Sequence, residues 1–214
     1  MEDAVIRAYR RDDRKAVRDI ACNTAFMGEP ADVFFDDREI LSDFLTLYYT
    51  DYEPESSFVA EARGEVIGYL IGARDVRSLR KVYALAIAPR LLLRAFLRGA
   101  IFKRKNLRFF ISLLRSFIKA EFDSPDPSET YQATLHINIK PDFRGKDIGS
   151  KLIERYLSYL KGLNISGVHV STLSGKAVNF FESNGFEVLN KRKRSYFRHV
   201  LNRDIWCTIL GRRI

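Results

Sequence analysis

Residues 133–164 read ATLHINIKPDFRGKDIGSKLIERYLSYLKGLN, and this stretch decides how the rest of the chain is understood. Leu135, Ile137 and Ile139 alternate with His136, Asn138 and Lys140, the period of a strand buried on one face. Pro141 has no backbone N–H and ends the ladder. Beyond it, Ile148, Leu152, Ile153, Tyr156, Leu157, Leu160 and Leu163 recur at helical spacing, with Glu154, Arg155, Ser158 and Lys161 opposite. The spacing predicts a helix from near Lys146, and GVHV at residues 167–170 a second strand.

Strand, glycine-bearing turn and helix N-terminus together offer what a diphosphate needs: unpaired N–H groups, the positive end of a helix dipole and room for close approach. Arg144 and Lys146 add charge, while Gly145 and Gly149 supply positive φ or bare backbone. A two-glycine turn with basic neighbours also suits an ordinary surface loop, so the turn alone leaves both readings open.

The stretch resembles the central motif of the GCN5-related N-acetyltransferases (GNAT), in which a strand ending in proline leads into Arg/Gln-x-x-Gly-x-Gly/Ala. Here the turn runs Arg144, Gly145, Lys146, Asp147, Ile148, Gly149, so Asp147 replaces the first signature glycine. SGKAVNFFESNGF at residues 174–186 resembles the family's second cofactor motif through Ala177, Phe180, Gly185 and Phe186. Ser174 stands where asparagine is usual, and Phe181 where tyrosine is usual. The resemblance implies an α/β, GNAT-like acyl-CoA N-acyltransferase fold: a mixed twisted sheet flanked by helices. It also implies acetyl-CoA as cosubstrate and no metal. The implied cofactor contacts are the backbone of Ile137, Asn138 and Ile139 for the pantetheine arm. Arg144, Gly145, Lys146, Asp147, Ile148, Gly149 and Ser150 would hold the diphosphate, with Ser174 and Phe181 from the second motif.

The implied activity is that of an N-acetyltransferase acting on a primary amine by direct attack on the thioester. His136, with an ordinary pKa near neutrality, is the first candidate base, and Asn138, on the same strand face, would orient the acceptor or a water. A lone histidine in a half-buried strand equally suits a structural role, and Glu61 is a second candidate base. Members of the family often protonate the leaving thiolate with the tyrosine that Phe181 replaces. The acid is then Ser174, Tyr196 or water, or the step is lost. A lost step makes the chain a non-catalytic acyl-CoA-binding sensor or interaction module.

The chain has 214 residues, 46% hydrophobic and 29% charged, which suits one domain with a full core, residues 1–214. Two cysteines, Cys22 and Cys207, are too few for a disulfide framework, and no apolar run reaches the ~18 residues of a membrane span. A cytoplasmic setting is expected. The net charge of +9 is unevenly spread: residues 74–120 hold thirteen Lys/Arg against one acid, whereas residues 29–55 hold nine acids against one Arg38. The acids lie among aromatics in the region that borders the acceptor site in proteins of this fold, so a cationic amine, small-molecule or peptide, is the expected acceptor, although the same acids equally suit the solvated face of a surface helix.

Upstream, a strand at residues 5–9, helices near 12–21 and 37–49, and a hairpin over 57–71 turning at Gly64 complete the α/β pattern. Residues 74–130 are expected to be a helical insertion within the domain. Leu92, Leu93, Phe96, Leu97 and Ala100 would form the buried face of its first helix; Leu107, Phe110, Ile111, Leu114, Phe117 and Ile118 would form that of its second. Arg90, Arg94 and Arg98 would form a basic stripe. Three readings of the insertion follow: a lid or homodimer surface, which its apolar faces favour; a peripheral membrane contact through residues 90–119; and a nucleic-acid contact, which lacks any reading motif. At the C-terminus, strands are expected at residues 187–189 and 196–208, joined by a charged turn at 191–194.

Overall fold

The computed structural model describes residues 4–214; residues 1–3 of the expected domain lie outside it. The alternating apolar runs become seven strands of one sheet, in the order β1-β2-β3-β4-β5-β7-β6. These are β1 (Val5–Ala8), β2 (Ser57–Ala62), β3 (Glu65–Ala73), β4 (Ala133–Ile139), β5 (Gly167–Thr172), β6 (Glu187–Arg194) and β7 (Ile205–Arg213). All neighbours pair antiparallel except β4 and β5, which are parallel.

Helices cover both faces. On one, α1 (Arg14–Thr24) sets Val17, Ile20 and Ala21 against Val59, Tyr69 and Ile71 of the sheet. α2 (Arg38–Leu47) follows, started by the Asp37 carboxylate, which accepts the Ile40 N–H at 3.1 Å. On the other face, α6 (Ile148–Gly162) and α7 (Gly175–Ser183) bury Leu152, Ile153, Tyr156, Leu160 and Phe181 with Leu135 and Val168.

Between β3 and β4, the expected two helices are three: α3 (Val76–Val82), α4 (Ala88–Leu97) and α5 (Arg104–Ile118). A wide turn at Tyr83–Ile87 joins α3 to α4 and comes just before Pro89, which has no N–H to give a regular helix. Of the faces expected to be buried, Ala100 is buried and Phe110 half-buried in the core, but the other expected residues face outward. Leu92, Leu93, Phe96 and Leu97 are exposed, and α4 buries Leu91 and Ala95 instead. On α5, Leu107, Ile111, Leu114, Phe117 and Ile118 are exposed, while Asn106 and Ser116 are fully buried.

Ion pairing turns the helices this way. Asp43 of α2, buried, takes Arg18 of α1 and Arg94 of α4, with Arg14 at 3.7 Å; Asp37 takes Arg98 at 2.8 Å and Asp36 takes Lys105 at 2.5 Å. Arg94 and Arg98 of the basic stripe thus dock on the acidic segment, while Arg90 stays exposed. Burial raises the Asp37 pKa, but hydrogen bonds from Arg98 and the Ile40 N–H outweigh it and hold the carboxyl below its ordinary value. Asn106 meets its polar requirement in full view of the core: its amide donates to the Ala100 carbonyl at 2.9 Å and accepts the Asp36 N–H at 2.8 Å.

The C-terminal expectation is also corrected. Residues 191–194 are no turn but part of β6, with the Lys191 and Lys193 ammonium groups 5.1 and 5.3 Å from the centre of the Trp206 ring on β7. The turn lies further on, with the short helix α8 (Arg198–Leu201) inside the stretch expected to be strand.

Replacing Asp43 by alanine leaves Arg18 and Arg94 facing each other without their shared anion. Denaturant unfolding of Asp43→Ala is expected to show a loss of about 3 kcal/mol. A loss below ~1 kcal/mol would mean the insertion is not held by this charge.

Candidate active site

The ladder between β4 and β5 covers only Ala133↔Val168 and Thr134↔His169, although β4 runs on to Ile139 and β5 to Thr172. Past Thr134 the two strands part. The other edge of β4 stays paired with β3 from Thr134 to Ile139. Backbone groups of residues 135–139 on the β5 side therefore face an opening, where an extended chain bearing amides can pair as a strand would.

The opening leads to the turn before α6. Gly145 has φ +74° with nothing near its missing Cβ, and Asp147 has φ +58°, a left-handed conformation that favours glycine. The Asp147 side chain makes no cap, so the first N–H groups of α6 keep no partner within the helix. Arg144 spans the turn, donating from Nε to the Ile139 carbonyl at 3.1 Å and from Nη2 to the Gly28 carbonyl at 2.9 Å. Lys146 donates to the Asp142 carbonyl at 2.9 Å and sits over the Phe143 ring. Neither cation has an ion-pair partner among the described residues.

The other expected contacts separate. Ile148 and Gly149 are buried, and a Cβ on Gly149 would lie 2.8 Å from the Phe180 Cζ, so that glycine serves the packing of α7 on α6 and not ligand approach. Ser150 and the side chains of Ile137 and Ile139 are half-buried. Ser174 caps α7 by accepting the Ala177 N–H at 3.4 Å. Phe181 is 3% exposed, enclosed with Phe180 and Phe186, which leaves its ring almost no free surface. Glu61 is held by Arg7 on the β1–β2 pair.

His136 and Asn138 share the face opposite α6 and meet a residue that sequence reasoning missed, Tyr69 of β3. The Asn138 amide donates to the Tyr69 Oη at 2.8 Å and lies 3.2 Å from His136 Nε2; Tyr69 Oη lies 3.4 Å from His136 Nδ1. With Nε2 accepting from Asn138, the neutral ring carries its proton on Nδ1, toward Tyr69. Burial lowers the His136 pKa from 6.5 to about 4 and raises that of the Tyr69 hydroxyl. The pair is therefore neutral at physiological pH: an unprotonated imidazole and a protonated phenol. The pairing Tyr69↔Asn138 depends on β3–β4 register, which no local motif encodes.

On the same face, Ser171 and His169 border a cavity of about 420 Å³ with Arg194, Cys207, Asp126 and Arg80. Arg194 is 5% exposed; its Nη2 donates to Ser124 Oγ at 3.3 Å, and its Nη1 has no partner among the described residues. Arg80 is already paired with Asp126 at 2.8 Å. No group of three or more His, Cys, Asp or Glu among the described residues is placed to hold a metal ion.

Residues 117–188 match the family model described as Acetyltransferase (GNAT) domain. A comparison with curated protein sequences finds no match. Among solved structures, the chain is similar to SsHAT, at 26% identity and TM-score 0.75 over 99% of this chain and 98% of that one. It also resembles in fold the Drosophila melanogaster polyamine N-acetyltransferase that forms N-acetylagmatine, at 14% identity and TM-score 0.65 over 99% and 100%. A phosphinothricin acetyltransferase from Sinorhizobium meliloti, in complex with acetyl-CoA, matches at 15% identity and TM-score 0.58 over 99% and 88%.

Because the folded pKa of His136 lies below the unfolded one, the folded state binds fewer protons. The stability this contributes is complete above about pH 6.5 and is lost as pH falls through about 4. Denaturation midpoints are expected to fall across that window, and His136→Gln to flatten part of the fall. An unchanged slope in the variant would place the titration elsewhere.

Proposed function

We propose, for a chain whose residues 117–188 match the GNAT acetyltransferase domain, acetyl-CoA-dependent N-acetylation of a primary amine by direct attack on the thioester. The observation that carries this reading is the parting of β4 and β5 above a turn with two cations free of carboxylate partners. The residues fit the cosubstrate. The open edge of Ile137, Asn138 and Ile139 suits the amides of the pantetheine arm; Arg144, Gly145, Lys146 and the first N–H groups of α6 suit the diphosphate. In the reaction the amine nitrogen forms a bond to the acetyl carbon, the C–S bond breaks, the nitrogen loses a proton and the thiolate gains one.

His136 is assigned as the group that takes the amine proton, which requires Nε2 to exchange the Asn138 amide for the substrate. Tyr69, protonated and beside it, is fully buried and serves to hold His136 and Asn138, so Ser174, Tyr196 and water are the candidate donors to the thiolate. The acids that suggested a cationic acceptor are largely spent on the insertion: Asp36, Asp37 and Asp43 all sit in ion pairs. What supports a small cationic amine is instead the likeness to agmatine and polyamine acetyltransferases. The free cysteines accord with a cytoplasmic location.

A non-catalytic acyl-CoA sensor is the second reading, favoured by Phe181, which has no hydroxyl and lies in the core. A thiol-release assay over agmatine, polyamines, amino acids and a basic peptide separates the two: release with any amine supports the enzyme, whereas binding of acetyl-CoA without release supports the sensor.

Calorimetry tests the turn. Arg144→Ala with Lys146→Ala is expected to weaken acetyl-CoA binding by ~10-fold or more. Asp147→Gly should tighten it, by removing a like charge and easing a left-handed residue, and should stabilise the fold by about 1 kcal/mol. Unchanged affinity in both would move the diphosphate away from this turn.

A further inference from the structure

We infer that the outer face of the insertion binds the surface of an anionic lipid bilayer. Among the described residues, twenty-one large apolar side chains stand exposed, and twelve of them lie between Leu85 and Phe122, at 40–74% exposure, so the exposed apolar surface is concentrated on the insertion. The outer face of α5 carries Leu107, Ile111, Leu114 and Ile118 in line with Arg104, Arg108 and Arg115, at helical spacing. On α4, Leu92, Leu93, Phe96 and Leu97 are likewise outward, and the Phe96 and Phe102 rings meet 6.0 Å apart between the helices.

This exposure is built in. Asn106 and Ser116 hold the inner face of α5 by hydrogen bonds to Ala100, Asp36 and Ser195, and Arg94, Arg98 and Lys105 anchor the insertion through ion pairs. Rolling the leucines inward would bury the outer arginines and break those contacts.

The charge selects the occupant. Residues 76–120 contain no acid, and Arg90, Lys103, Arg104, Arg108, Arg115 and Lys119 have no ion-pair partner among the described residues. A second copy would set these cations against their own kind. Nucleic acid would match the charge and leave the leucines and phenylalanines in water. A bilayer with anionic headgroups satisfies both at once: apolar side chains enter the acyl boundary while arginine stems lie along it and keep their heads at the phosphates. No helix among the described residues is long and apolar enough to cross a membrane, so the contact is peripheral. The inference is independent of the acetylation reading.

The test is cosedimentation of the full chain with vesicles of phosphatidylcholine, with and without phosphatidylglycerol. Pelleting is expected with the anionic vesicles and should decline as salt rises. Arg104→Glu with Arg108→Glu and Arg115→Glu should weaken partition by at least ~10-fold. Leu114→Ser with Phe117→Ser and Ile118→Ser should do the same, with thermal midpoint and acetyl-CoA binding retained in both variants. The inference fails if anionic vesicles pellet no more protein than neutral ones, or if the serine variant partitions like the parent, which would make the contact purely ionic. It also fails if ultracentrifugation shows a dimer that the serine variant dissolves, which would give the face to a second copy.

Discussion

Helix α6 holds the sheet together where the strands themselves do not. Only two residue pairs join β4 to β5, yet one apolar cluster unites Phe58, Ile67 and Leu70 from one side of that gap with Val168, Val170 and Leu210 from the other, through Leu152, Ile153, Tyr156 and Leu160. Tyr156 is fully buried, and its hydroxyl reaches the Thr134 carbonyl at 2.9 Å and the Ala73 carbonyl at 3.2 Å. Gly72 makes room for it, since a Cβ there would lie 2.3 Å from the ring. With the halves held by a helix, the strands need no ladder past Thr134, and the cleft costs the fold little backbone pairing. The same helix presents its N-terminus at the mouth of that cleft, so one element supplies both the hold and the N–H groups on which the proposed diphosphate site rests.

Much of this was legible because it is local. A period of two followed by a period of 3.6 across Pro141 identifies β4, the turn and α6 without reference to anything distant, and Gly64 marks the β2–β3 turn in the same way. What escaped depends on partners far along the chain. The apolar spacing in α4 and α5 correctly implies helices, but which side is buried is decided by Asp37 and Asp43 and by the hydrogen bonds of Asn106. Hydrophobic patterning assumes that the greasy face goes inward, and here specific polar contacts outweigh it. Tyr69 escaped for a similar reason: nothing in EVIGYLIGA shows that its hydroxyl meets Asn138 until strand register is known.

The charge imbalance seen in the sequence resolves into an internal match. The acidic segment around α2 and the inward arginines of the insertion neutralise each other, so the acids that looked available to a substrate are structural. The net positive charge is left to residues that face outward. The proposed chemistry then rests on fewer groups: a neutral imidazole and an amide, backed by a buried phenol, with a buried guanidinium in the neighbouring cavity.

The sheet ends on β1 at one side and β6 at the other. An unpaired strand edge is a template on which another chain can add itself, and the two ends avoid this in different ways. β1 is only four residues long. β6 is twice that and would be the greater hazard, but it carries Lys191, Arg192 and Lys193 in succession, two of them folded over Trp206. A strand arriving alongside would have to desolvate three adjacent cations, so the run that looks like a turn in the sequence guards the fold against growing into a fibre.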